Sequence, residues 1–231
     1  MTQEAIVLAG GFGTRLKSVV ADLPKPMAPV AGSPFLDYIL RWLEQQGVTR
    51  VILAVGHLRE VIINHYGKQS GNMQLIYSEE EEPLGTGGGI RQACNLLHGS
   101  RAFVINGDTF FDVSLASLEE LHQQTGAALT LALKPMQNFD RYGTVETDDQ
   151  HRVTGFKEKR FLEQGNINGG VYCLNTDIFP DSLPAVFSFE KEILEKYYPE
   201  GRIFGMISDT YFIDIGIPED YARAQVDFAN S

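Results

Sequence analysis

Ala5-Ile6-Val7-Leu8-Ala9 is an unbroken apolar run that empties into the glycine-rich turn Gly10-Gly11-Phe12-Gly13. A strand with no polar alternation must be covered on both faces, which is the condition of an interior strand in a parallel sheet. The same pattern returns at Val51-Ile52-Leu53-Ala54-Val55 and at residues 102–106, the latter leading into Gly107-Asp108. Helical spacing separates these runs. Apolar residues fall at 35, 36, 39, 40 and 43 before Gly47 ends the segment, and helices are also predicted over 58–66 and about 87–97, with a strand at Leu75-Ile76-Tyr77 between them. Strand and helix in alternation predict an α/β fold with a largely parallel sheet. From Ala127 onward the pattern changes. Strand-like pieces at 129–133, 143–146, 153–156 and 170–174 follow with few helices, and they read as substrate-facing strands extending the same sheet. A helix is predicted over 188–198 and a strand over 211–215. Pro218 opens a last helix with Glu219 and Asp220 in its first turn, where the helix dipole favours negative charge. With no linker, repeat or low-complexity tract, residues 1–231 are expected to form a single domain.

Composition narrows the function classes. The chain has 231 residues, with 19 Lys+Arg against 30 Asp+Glu, a net charge of −11 and an isoelectric point near 4.9. Such a surface repels phosphate backbones and anionic headgroups, so neither a nucleic-acid nor a membrane partner is expected. Hydrophobic residues at 43% and charged residues at 21% are an ordinary globular balance that fills a core without disulfides. Cys94 and Cys173 sit in apolar segments with no CxxC or histidine neighbour, and read as reduced, buried thiols of a cytoplasmic protein. No apolar run approaches the ~20 residues of a membrane span, and the acidic start Met1-Thr2-Gln3-Glu4 does not resemble a secretion signal.

Four stretches carry the chemistry. A glycine-rich turn after a buried strand lets backbone N–H groups approach phosphate oxygens, and Arg15 and Lys25 of Pro24-Lys25-Pro26 supply the local positive charge that a triphosphate needs in an acidic protein. It is not a P-loop, and Leu16 stands where a dinucleotide fingerprint needs glycine. The glycines alone also fit a structural turn. In the second stretch, residues 79–82 are four glutamates that by themselves read as a solvated loop, but Gly87-Gly88-Gly89 opens a helix. Glycine weakens a helix by about 1 kcal/mol per residue relative to alanine, so something should pack against that backbone. Third, Asp108 follows a buried strand, where open α/β sheets bind ligands, and Asp214 is a lone acid amid Tyr211-Phe212-Ile213 and Ile215. Two such carboxylates can share one Mg²⁺ whose other ligands are water and substrate phosphate. Each also fits a cap or a salt-bridge partner, and Asp112 reads as structural. Fourth, Lys157-Glu158-Lys159-Arg160 with Asn166-Ile167-Asn168-Gly169-Gly170 offers an ammonium for a phosphate and a carboxylate or amide for hydroxyls, although a solvated strand end fits the same residues. The five histidines share no ligand spacing, and Trp42 reads as core.

In order along the chain, residues 8–16, 24–30, 80–89, Gly107-Asp108, Glu158-Lys159, 168–172 and 214–221 resemble the motifs of the sugar-1-phosphate nucleotidylyltransferases. The resemblance spans nearly the whole length. It implies a Rossmann-like three-layer α/β/α nucleotidyltransferase fold with a mixed, mostly parallel sheet. It further implies that Leu8, Ala9, Gly10, Gly11, Gly13 and Thr14 line the nucleotide, with Arg15 on the triphosphate and Lys25 at the reacting centre. Glu80 matches the position that contacts the base, with Gly85 and Thr86 beside it. Asp108 and Asp214 match Mg²⁺ ligands; Gly143, Glu158 and Asn168 match sugar contacts, and Lys159 the contact to the sugar phosphate. Arg15, Lys25 and Asp108 would carry catalysis. One departure is Arg160, where the family has proline. Finer likeness at residues 16–19, 106–112, 138–145 and 167–172 narrows the implied substrates to GTP and a heptose 1-phosphate. An acceptor-only carboxylate at Glu80 suits guanine, which offers N1–H and N2–H₂ on one edge. A mannose 1-phosphate guanylyltransferase and an N-acetylmuramate 1-phosphate uridylyltransferase remain open as siblings. A glycosyltransferase would need a DxD signature that Asp108-Thr109-Phe110 lacks, and a non-catalytic nucleotide-binding regulatory module has no need of Arg15, Lys25, Asp108 and Asp214 together. With the chain ending at Ser231, no β-helix acyltransferase domain is expected; a homo-oligomer is left open.

Overall fold

The computed structural model describes residues 2–11 and 23–229, so the expectations placed on Gly13, Thr14 and Arg15 lie outside the described residues. In chain order the strands are β1 (Glu4–Leu8), β2 (Pro29–Val30), β3 (Ser33–Pro34), β4 (Arg50–Val55), β5 (Gln69–Ser70), β6 (Met73–Glu79), β7 (Arg101–Asn106), β8 (Thr109–Phe111), β9 (Leu129–Phe139), β10 (Thr144–Thr147), β11 (Val153–Lys157), β12 (Leu162–Asn175), β13 (Ile203–Ile207) and β14 (Phe212–Asp214). The helices are α1 (Phe35–Gln45), α2 (Arg59–Tyr66), α3 (Gly85–Cys94), α4 (Leu115–Thr125), α5 (Glu195–Tyr197) and α6 (Pro218–Asp227), with a π-turn over Glu190–Leu194 directly before α5.

The apolar runs lie side by side as their composition requires. β1 pairs in parallel with β4 and with β7, and β4 pairs in parallel with β6. β12 then runs antiparallel to β7 and to β9, which carries β13 in parallel, while β10 and β11 extend the antiparallel flank. The result is one ten-stranded mixed sheet. Alternate residues of each central strand enter opposite cores. Ala5 and Val7, Val51 and Leu53, and Phe103 and Ile105 pack with α1, α2, α4 and α6, whereas Ile6, Ile52 and Val104 pack with α3 and the 187–194 segment. That gives three layers, α/β/α. Cys173 is buried while Cys94, expected buried, is half-buried at the core's edge, and burial pushes each thiol up to about 12.

Several elements differ from the sequence expectation. α4 and β13 were not predicted, although α4 carries clear ends: Ser114 Oγ accepts the Ser117 N–H at 3.2 Å, and Gly126 closes the helix at φ 61°. Truncating that cap, Ser114→Ala, is expected to cost about 1 kcal/mol in a denaturant titration. β12 begins at Leu162 rather than near Gly170, because its polar first half is held by pairing to β9 and not by burial, with a register shift between Asn168 and Tyr172. Over 188–198 the π-turn, α5 and a following 3₁₀ turn replace the single predicted helix.

Candidate active site

β1 is the point at which strand order reverses. The chain passes from β1 to β4 and β6 on one side and returns to place β7 on the other. Ligands of open α/β sheets bind outside the carboxyl ends of the strands at such a point. Here those ends carry Ala9-Gly10, Gly56 and Gly107-Asp108. The backbones at Gly10 and Gly56 approach so closely that a Cβ on Gly10 would lie 3.1 Å from the Gly56 nitrogen.

Beside this approach lies a cavity of about 320 Å³ lined by Gly10, Gly56, His57, Arg59, Glu80 and Pro83, among others. Glu80 is fixed from several directions. Its N–H donates to the Val55 carbonyl at 2.8 Å, and its Oε2 accepts the Leu84 N–H at 3.0 Å. Gly89 leaves room for the carboxylate, since a Cβ there would meet Oε1 at 2.6 Å. Burial raises the Glu80 pKa above the ordinary carboxylate value, and the Leu84 N–H opposes that rise. Arg59 donates to the Glu80 carbonyl at 3.0 Å and pairs with Glu79 at 3.2 Å. The sequence reading missed Arg59 and His57 on this wall; an arginine at the start of a helix gives no pattern that marks it.

What packs against the glycine-rich helix start is the chain itself. Gly85 has φ 72°, and a Cβ there would come within 2.6 Å of the Phe187 carbonyl. The Phe187 ring covers Gly87, and the Ala185 carbonyl lies 2.5 Å from where a Gly88 Cβ would stand. Thr86 Oγ1 donates to Glu190 Oε2 at 2.9 Å and accepts the Phe189 N–H at 2.9 Å. Gly85 and Thr86 therefore fasten the Glu80 wall to the segment that opens the π-turn.

The charged centre is built from three elements. β8 pairs antiparallel with β14, with Thr109 opposite Asp214, and the Ile215 N–H donates to the Asp108 carbonyl at 3.0 Å. Lys25 Nζ donates to Asp108 Oδ2 at 2.6 Å and lies 3.8 Å from Asp214 Oδ1. Asp214 Oδ1 also accepts the Gly216 N–H at 2.7 Å. Burial first, and then the charge of Asp108, hold the Asp214 pKa above its ordinary value. Two hard oxygen donors that repel one another, with the Lys25 ammonium beside both, suit a divalent cation. Among the described residues no group of three or more His, Cys, Asp or Glu could hold a metal ion.

A second cavity, about 430 Å³, lies on the antiparallel flank. All four residues expected at a sugar phosphate line it: Gly143, Glu158, Lys159 and Asn168. Asn168 is held in orientation, its Nδ2 donating to the Tyr172 hydroxyl at 2.8 Å and its Oδ1 accepting the Gly170 N–H at 3.0 Å. Hydrogen bonds tie the aspartate centre to chain beside each cavity. The Gly107 N–H donates to the Leu8 carbonyl at 2.9 Å on the Gly10 side, while Tyr142, next to Gly143, donates to Asp214 Oδ2 at 3.4 Å. Arg141 pairs with Asp220 at 2.6 Å, tying the turn before β10 to the first turn of α6. The sequence reading had assigned no role to Arg141, Tyr142, Glu190, Glu195 or Tyr198.

A fold of this topology, with an aspartate–lysine centre at the carboxyl ends of its strands, suits a nucleotidyl-transferring enzyme. The chain belongs to the nucleotidyl transferase family, whose model matches residues 4–231. It is 52% identical to D-glycero-alpha-D-manno-heptose 1-phosphate guanylyltransferase of Aneurinibacillus thermoaerophilus, over 96% of each chain. It is 49% identical to the enzyme of the same name from Campylobacter jejuni, over 94% of this chain and 96% of the relative. Among solved structures, HddC from Yersinia pseudotuberculosis complexed with GMP-PN superposes with a TM-score of 0.88 at 38% identity, covering 98% of this chain and all of that one.

Proposed function

We propose that the protein transfers GMP from GTP to D-glycero-D-manno-heptose 1-phosphate, giving GDP-heptose and pyrophosphate. The observation that carries this reading is a charged centre, Lys25-Asp108-Asp214, tied through Gly107 and Tyr142 to the chain beside a cavity walled by Glu80 and another walled by Glu158, Lys159 and Asn168. The choice of base and sugar is supported by two guanylyltransferase relatives at 52% and 49% identity. A phosphate oxygen of the sugar 1-phosphate attacks the α-phosphorus of GTP in line. A P–O bond forms to the sugar phosphate as the bond to the β-phosphate breaks, and pyrophosphate carries away the electron pair.

Two anions must meet, so the chain contributes position and positive charge rather than a nucleophile. Lys25, already aimed between the carboxylates, neutralises the reacting phosphates, and Arg15 does so on the triphosphate. Lys159 holds the sugar phosphate while Glu158 and Asn168 orient the ring. Asp108 and Asp214 would hold Mg²⁺, which supplies charge neutralisation to the phosphate oxygens. The substrates are water-soluble metabolites, and we place the reaction in the cytoplasm. Among the described residues no helix is long and apolar enough to cross a membrane.

Base choice follows from Glu80. Its carboxylate accepts from guanine N1–H and N2–H₂, whereas uracil presents carbonyls that it would repel. Glu80→Gln puts an amide donor where only an acceptor fits, and the kcat/KM preference for GTP over UTP is expected to fall about tenfold, the scale of one hydrogen bond to a charged group. An unchanged ratio would refute the role.

A further inference from the structure

The wall of the 430 Å³ cavity opposite the strands comes from a single short segment, and it bears acceptors that the protein does not use. In this π-turn the Glu195 N–H donates to the Glu190 carbonyl, five residues back. An α-helix would turn residues five apart to roughly 140° from one another, whereas the wider π-turn brings them to the same side. Glu190 and Glu195 accordingly both line the cavity, with Leu194 between them, while Phe189 and Ile193 are buried in the core. The two acids differ in how far they are already engaged. Glu190 Oε2 accepts from Thr86 and from Ser188 Oγ at 2.8 Å, but the exposed carboxylate of Glu195 has no hydrogen-bond or ion-pair partner among the described residues. Tyr198, which also lines the cavity, is braced edge-on against Phe156 at 5.6 Å, and its hydroxyl has no partner among the described residues.

We propose that Glu195 and Tyr198 read the exocyclic hydroxyls of the acceptor sugar, so that the cavity selects a sugar 1-phosphate with a glycol arm over one ending in a single hydroxymethyl. This rests on the functional reading above. A carboxylate accepts from two hydroxyls at once, and a phenol both donates and accepts; vicinal hydroxyls present that combination. With the phosphate anchored at Lys159 and the ring at Glu158 and Asn168, this wall is left to contact the far end of the sugar. A site built to bond a hydroxyl rejects the analogue that lacks it, because its own polar groups are then left unpaired.

The test compares D-glycero-D-manno-heptose 1-phosphate with mannose 1-phosphate, which lacks the seventh carbon and its hydroxyl, in wild type, Glu195→Ala, Glu195→Gln and Tyr198→Phe. Glu195→Ala and Tyr198→Phe are each expected to lower kcat/KM for the heptose phosphate about tenfold, leaving the value for mannose 1-phosphate and the KM for GTP unchanged. Glu195→Gln keeps one acceptor and should retain most of the preference. Equal losses with both sugars, or no loss with either, would overturn the inference while the functional reading stands. A wild type that does not prefer the heptose phosphate would instead reject the functional reading, and this inference with it.

Discussion

Asp108→Ala is expected to lower turnover by about 10²–10³-fold while leaving the folded chain intact. The two Asp108 side-chain oxygens meet Lys25 Nζ at 2.6 Å and the Thr109 hydroxyl at 3.3 Å. The scaffold is held by backbone groups that truncation leaves in place, namely the Gly107 N–H on Leu8, the Ile215 N–H on Asp108 and the pairing of β8 with β14. Circular dichroism and the melting temperature should therefore stay near wild type, and pyrophosphate release should collapse. A folded variant that keeps more than about a tenth of the activity would contradict the role of the aspartate pair.

Lys25→Met carries the second largest expectation, a loss of about 10²-fold in turnover. Lys25 stands in a 3₁₀ turn, Lys25–Met27, whose Pro26 and Met27 are buried and whose Met27 N–H donates to the Pro24 carbonyl at 2.7 Å. The turn is rigid and its one charged side chain, 15% exposed, points at both carboxylates. Removing the ammonium leaves Asp108 and Asp214 facing each other uncompensated, with Asp214 already held above its ordinary pKa by burial and by Asp108. Melting in the presence of a chelator should fall below wild type, and adding Mg²⁺ should restore most of the difference. A variant that turns over at the wild-type rate, or one whose melting ignores Mg²⁺, would show that Lys25 does not balance this centre.

The central half of the fold was legible because burial on both faces writes itself into β1, β4 and β7 as unbroken apolar runs. Asp108 and Asp214 were legible for the complementary reason, being single acids where apolar strands end. The glycines 87–89 showed that something packs against them, but not that Phe187 would cover Gly87 and Ala185 Gly88, because those contacts join residues about a hundred positions apart. The polar half of β12 left no mark, since its order comes from β9 rather than from hydrophobic contact. Glu190, Glu195 and Tyr198 were hidden differently. Their segment reads as a plain amphipathic helix, and only the π-turn sets both acids on one side of the cavity. Glu158, Lys159 and Asn168 were legible from their chemistry as well as from motif and Gly143 from motif, and the cavity gathers them from the turn before β10, the loop after β11 and β12.

The most direct measurement is pyrophosphate release by the wild-type chain with Mg²⁺, crossing GTP, UTP, CTP and dTTP against D-glycero-D-manno-heptose 1-phosphate, mannose 1-phosphate and N-acetylmuramate 1-phosphate. Release is predicted to be fastest with GTP and the heptose phosphate, accompanied by equimolar GDP-heptose. Faster release with another pair would contradict the assignment of Glu80 or of the sugar, and no release with any pair would contradict the account as a whole.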